Sequence, residues 1–100
     1  MVKKEIIDIV LKYKNSLEDR FIISDLYIFG SYAKSNYTDD SDIDVAVIVE
    51  NELRYDEEIE LMRRRRNIDL RIEPHLFTTR DFQDGNPLTE EIKRTGFKIQ

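Results

Sequence analysis

The stretch that decides the reading is Leu26-Tyr27-Ile28-Phe29, followed by Gly30-Ser31, a polar run through Ser41, and Asp42-Ile43-Asp44-Val45-Ala46-Val47-Ile48-Val49. Leu26 to Phe29 is too short for a stable helix and rich in aromatic and branched side chains, so it reads as a strand ending at Gly30. Residues 31 to 36 begin a short helical turn, and Asn36 to Ser41 form a polar loop. Asp42 to Val49 is the second strand. It is the most apolar one, which places it centrally in a sheet.

Working outward, Val2, Ile6, Ile9, Val10, Tyr13 and Leu17 recur every three or four residues with charges between them. That is the stripe of an amphipathic helix over residues 2 to 19. Glu57 to Arg65 has helical composition, with Ile59, Leu61 and Met62 as inward candidates. Ile68, Leu70 and Ile72 alternate with Asp69, Arg71 and Glu73, which predicts a third strand over Ile68 to Glu73, stopped by Pro74. Thr79 is placed to cap a turn through Phe82, and Thr89 to cap a last helix ending near Gly96. The resulting order is α-β-α-β-α-β-α. It predicts an α/β (α+β) fold: a small mixed sheet with helices packed mainly on one face.

The chain has 100 residues, 40% of them apolar, enough for one compact core, and residues 1–100 read as a single domain. There is no length for a separate substrate domain, so any site must lie on an open face or groove. Sixteen Lys and Arg against 21 Asp and Glu give a formal charge of −5, which argues against stable nucleic-acid binding through a broad basic surface. No cysteine is present, which excludes disulfides and Cys-ligated zinc. The longest apolar run, Ile43 to Val49, is broken by Asp44 and is too short to cross a membrane. A soluble cytoplasmic protein is expected.

Asp42 and Asp44, two residues apart on a strand, point to the same face with Cα atoms roughly 7 Å apart. Ala46 and Ile48, on that same face, favour burial. Two carboxylates at the margin of a core-facing surface repel each other and resist desolvation. A divalent cation removes both objections, and hard oxygen ligands suit Mg²⁺. Alternatively they are solvated loop acids, since D-x-D is a common pattern. Upstream, Gly30 lets the backbone approach a ligand, and the amides that follow, with the Ser31 hydroxyl, suit phosphate oxygens. On its own that pair also fits an ordinary strand-to-helix turn.

Together, Gly30-Ser31, ten residues, and Asp42-Ile43-Asp44 resemble the G-S-x10-D-x-D signature of the DNA polymerase β-like nucleotidyltransferases. The run GSYAKSNYTDDSDIDVAV looks most like the minimal nucleotidyltransferases found as antitoxins beside HEPN-domain toxins. The direct resemblance covers about residues 20 to 80. It implies a third carboxylate within a V/I-D-L sequence, matched by Ile68-Asp69-Leu70, which would complete metal binding and help deprotonate the attacking hydroxyl. From the residues alone, Asp69 is either that ligand or a solvent-facing acid paired with Arg71, and Glu73 is a weaker substitute. Where relatives commonly carry Arg-Gly after Gly-Ser-x-Ala, this chain has Lys34-Ser35. Lysine supplies a point charge for phosphate but not the bidentate fork of arginine.

The resemblance further implies Mg²⁺ as cofactor and ATP as donor. The acceptor that the resemblance implies is a tyrosine hydroxyl of a HEPN toxin, so AMP transfer would neutralise that toxin. A second reading is a catalytically weak or inactive antitoxin that neutralises the toxin by binding alone. Antibiotic nucleotidylation is disfavoured by a chain with little room for a second wall around a small acceptor. Arg63 to Arg66 reads either as a helix C-terminus favouring the dipole or as a dock for an acidic partner, RNA or triphosphate. At least two of these arginines must face solvent. Tyr32 and Tyr37 flank the phosphate loop as packing residues or base-stacking ones. His75, after Pro74, reads as structural or surface.

Overall fold

The computed structural model describes residues 2–50 and 55–99, with Tyr55 by its backbone. Helix α1, Lys4–Leu17, is followed by strand β1, Ile23–Phe29, and the four-residue helix α2, Ser31–Lys34. Strand β2, Ile43–Val49, leads to helix α3, Tyr55–Arg64, and a 3-10 turn, Arg65–Asn67. Strand β3, Ile72–Thr78, helices α4, Thr79–Gln83, and α5, Pro87–Thr95, and strand β4, Phe97–Ile99, complete the chain. The sheet order is β3-β2-β1-β4, with β2 and β3 parallel and the other neighbours antiparallel. β2 is central, as its apolar run requires.

Strand pleat sorts the core into two layers. On one face Leu26, Ile28, Val45, Val47 and Ile72 pack against Ile6, Val10, Tyr13 and Leu17 of α1 and Leu61 of α3. The buried Tyr13 hydroxyl donates to the Leu61 carbonyl at 2.7 Å and ties the two helices together. On the other face Phe29, Ala46 and Ile48 form a smaller layer with Phe82 of α4 and Ile92 of α5. Most helical cover therefore lies on one face, as expected.

Several local expectations are corrected. β3 starts at Ile72, not Ile68, and runs through Pro74. The alternation in Ile68–Glu73 mimics a strand, but residues 68–71 turn, and Leu70 is 67% exposed. Pro74 is tolerated because β3 is an edge strand, where a missing N–H costs no ladder bond. Leu61 is buried, but Ile59 and Met62 are 43% and 39% exposed rather than inward. The caps shift as well: Thr78, not Thr79, accepts from the Asp81 amide at 3.0 Å. Asn86, not Thr89, accepts from the Thr89 amide at 3.0 Å, with Pro87 opening α5. β4 was not foreseen; with only Phe97–Ile99 it exists through its pairing to β1. No helix among the described residues is long and apolar enough to cross a membrane.

Candidate functional site

The end of β1 and the start of β2 meet in antiparallel register, with Phe29 opposite Asp44. Gly30 then turns the chain at φ 73°, a left-handed conformation that side chains rarely adopt. A Cβ at position 30 would collide with Asp44 Oδ2 and sit 3.2 Å from its Cγ. Glycine here makes room for the carboxylate. α2 opens directly at Ser31 and closes at Ser35, which is left-handed at φ 62°. The first-turn amides of a helix have no acceptor four residues back, so such a turn offers donors to an anion.

Asp44 has a side chain 28% exposed, with His75 Nε2 at 3.4 Å from its Oδ1. The His75 ring also stands edge-on to Phe29, centroids 5.0 Å apart. Burial holds the Asp44 carboxyl above its ordinary range; His75 works against that shift, while repulsion from Asp42 and Glu73 adds to it. Asp42 is exposed and lies one residue before β2, not on the strand itself. Parallel register sets Glu73 directly opposite Asp44 and His75 opposite Ala46. Glu73 and His75 therefore share the face of Asp44.

Asp69 is placed differently from its expected position on a strand. It sits in the turn before β3 and accepts from the Arg71 amide at 2.9 Å and from Arg71 Nη2 at 2.9 Å. Those bonds, the side-chain one foremost, hold its carboxyl below the usual range. Arg71 also donates to the Tyr32 hydroxyl at 3.4 Å. Lys34 pairs with Glu91 of α5 at 3.1 Å, both side chains largely exposed. Tyr32 is buried and stacks on Tyr37 at 4.6 Å and 11°, with Lys3 Nζ 5.1 Å from the Tyr37 centroid, so this pair packs. Of the arginine run, Arg64 pairs with Asp19 and Glu60, and Arg65 donates to the Leu70 and Ile72 carbonyls. Arg63 and Arg66 face solvent.

Sequence reasoning missed the position of His75. The only signal was its two-residue offset from Glu73, which means nothing until the register of β3 against β2 is known.

The chain matches a known family. The model of the polymerase beta nucleotidyltransferase domain matches residues 6–99. The chain belongs to this nucleotidyltransferase family. A 43-residue stretch is 44% identical to MJ0128 of Methanocaldococcus jannaschii, provisionally named a protein adenylyltransferase. That match spans 43% of this chain and 44% of the relative, less than half of its length. Among solved structures, a toxin–antitoxin complex with AMP-PNP superposes with a TM-score of 0.67 at 21% identity, covering 94% of this chain and 72% of that one. The toxin–antitoxin MntA–HepT gives 0.60 at 18% identity, covering 98% and 72%. At those identities the likeness shows the fold.

The donor set fits a hard cation. Among the described residues no group of three or more Asp, Glu or His side chains stands ready to cage a metal. Mg²⁺ does not need one, because it is bound by one or two carboxylates completed by water and substrate phosphate. A half-buried Asp44 in a cradle kept clear by Gly30, with Asp42 beside it in sequence, meets that requirement.

Proposed function

We propose that this member of the family is an Mg²⁺-dependent nucleotidyltransferase that moves AMP from ATP to a hydroxyl on a protein partner. The single observation that carries the reading is the close approach of Gly30 to Asp44 inside the Gly-Ser…Asp-x-Asp pattern. Asp42 and Asp44 would hold Mg²⁺, which supplies charge neutralisation for the triphosphate when bound. Ser31 and the amides after Gly30 bind phosphate oxygens, and Lys34 leaves Glu91 to add a positive charge. A third carboxylate orients the acceptor hydroxyl and takes its proton. Glu73 is favoured by its register with Asp44, while Asp69, the position the resemblance points to, is engaged by Arg71. The hydroxyl oxygen attacks the α-phosphorus in line, and pyrophosphate leaves with the electron pair of the broken P–O bond.

The acceptor proposed is a tyrosine of a HEPN-domain toxin, making the chain an antitoxin of the cytoplasm. The names of MJ0128 and of the MntA–HepT complex support that assignment. Incubation with α-labelled ATP, Mg²⁺ and the HEPN protein encoded beside this chain tests it. Label on the partner's tyrosine, lost in Asp44→Asn, is the expected result. No label transfer, with wild type indistinguishable from Asp42→Asn, removes the catalytic reading.

The exposed apolar face of α3, with Ile59 43% and Met62 39% exposed, supports a second reading, neutralisation by binding alone. Asp44→Ala separates the two. Full protection of cells from the toxin favours binding, and lost protection with an intact complex favours catalysis.

A further inference from the structure

α3 turns an apolar and basic face outward. Ile59, Met62 and Arg63 follow helical spacing, and the stripe continues to Arg66 in the 3-10 turn. With Leu70 they border a groove of about 540 Å³. A second hollow of about 430 Å³ lies along the open edge of β3, against Pro74, Phe77 and Leu88. Glu58 and Met62 line both, so the two hollows adjoin along α3 and are together termed the trough. Its far end reaches His75, whose Nε2 is 3.4 Å from Asp44. The trough thus extends from an exposed apolar patch to His75, the neighbour of Asp44, while Asp42, Asp44 and Glu73 do not line it.

Its rim carries a sign. In a chain of net charge −5, the two outward members of the arginine run, Arg63 and Arg66, stand together at its mouth. Arg63 is paired with Glu60 at 3.3 Å, and Arg66 has no hydrogen bond or ion pair among the described residues. Glu58 lines both hollows, so the complementary occupant is apolar in the middle, acidic where it meets Arg63 and Arg66, and carries no acid opposite Glu58. The first half of the β3 edge, Ile72 to Pro74, is closed to an added strand. The Arg71 carbonyl accepts from the Ile43 amide, so Ile72 and Pro74 face outward by alternation. Pro74 has no N–H, and Arg65 occupies the Ile72 carbonyl. A helix laid in the groove needs neither group.

We infer that this trough docks an acidic amphipathic helix of the acceptor protein, delivering that protein to the Asp44 end. The inference rests on the transferase reading for the role of the docked protein, but the docking itself is measured without nucleotide. The full chain is titrated with a synthetic helical peptide carrying a leucine stripe flanked by glutamates, and with its glutamine and lysine analogues. Fluorescence anisotropy gives affinity, and amide NMR shifts give location.

The glutamate peptide is expected to bind most tightly, to shift amides of residues 59–77, and to weaken with added salt. The double variant R63E/R66E, altered only at exposed side chains, is expected to lose roughly tenfold in affinity for the glutamate peptide and to prefer the lysine one. Failure of the glutamate peptide to bind saturably, or indifference to charge reversal, overturns the proposal. So does sedimentation showing that a second copy of this chain fills the groove in a Met62→Glu-sensitive dimer. Asp44→Asn should bind the peptide like wild type, and R63E/R66E should bind Mg²⁺–ATP like wild type. Loss of AMP transfer and loss of docking are thereby told apart.

Discussion

Asp44 and Glu73 stand directly opposite each other across the parallel β2–β3 pair. Like charges in that relationship destabilise a sheet, and Asp44 is also partly desolvated. Function explains the cost if a cation joins the pair. In EDTA, Asp44→Asn should therefore raise the melting temperature by about 4 °C, the shift expected of roughly 1 kcal/mol in a domain this size. Mg²⁺ should stabilise wild type and leave the variant unchanged. Differential scanning fluorimetry with and without Mg²⁺ checks both, and a lower melting temperature for Asp44→Asn in EDTA contradicts the account.

Glu73 and Asp69 can be separated as the third carboxylate. Glu73→Gln should reduce AMP transfer by about a hundredfold or more, the scale of losing one transition-state contact. Asp69→Asn should keep transfer within a few-fold of wild type. Because Arg71 holds the Asp69 carboxyl low, its stabilising contribution is present above the unfolded pKa and fades as pH falls through the folded one. The variant's stability deficit should accordingly shrink in acid. Transfer assays on both variants decide; the opposite ranking assigns the role to Asp69.

The same two acids show what the sequence made legible. Gly30, Ser31, Asp42 and Asp44 lie within one local strand–turn–strand unit, where spacing alone carries meaning. Asp69 and Glu73 both belong to an alternating segment, and alternation cannot say where pairing starts. That depends on Ile43 bonding to the Arg71 carbonyl, a tertiary fact. Pro74 reads as a stop because edge position is invisible in one dimension. Ile59 and Met62 read as inward because period alone does not tell a covered stripe from an uncovered one.

Cation binding should be acid-sensitive through Asp44. Burial raises its folded pKa, so a proton favours the folded, metal-free state and competes with Mg²⁺ as pH falls through that value. Affinity should begin to fall at a higher pH than for an ordinary aspartate, whose pKa is about 3.9. Calorimetry in buffers of different ionisation enthalpy should show proton release on Mg²⁺ binding in mild acid. No proton release, with affinity flat across that range, would rule the coupling out.

Gly30→Ala should cost about 1–2 kcal/mol in stability from its left-handed φ alone. Its larger effect should be loss of Mg²⁺–ATP binding with every acid still present, because the new methyl displaces the Asp44 carboxylate. Titration calorimetry on the folded variant reads this directly; wild-type affinity would show that the cradle is dispensable.

Tyr13→Phe tests the frame rather than the site. It removes the hydroxyl that satisfies the Leu61 carbonyl in the core, at a cost of about 1–2 kcal/mol. A fall of roughly 5–10 °C in melting temperature is expected, with AMP transfer at low temperature unchanged.

The Gly30–Asp44 contact also constrains the order in which this surface can change. On this backbone a Cβ at 30 and the present position of the Asp44 carboxylate exclude one another. A lineage that abandons the carboxylate first can then fill position 30 at the cost of φ alone. One that fills position 30 first loses the acid's placement in the same step. The two sites are therefore epistatic, and the glycine outlasts its usefulness only after the aspartate has gone.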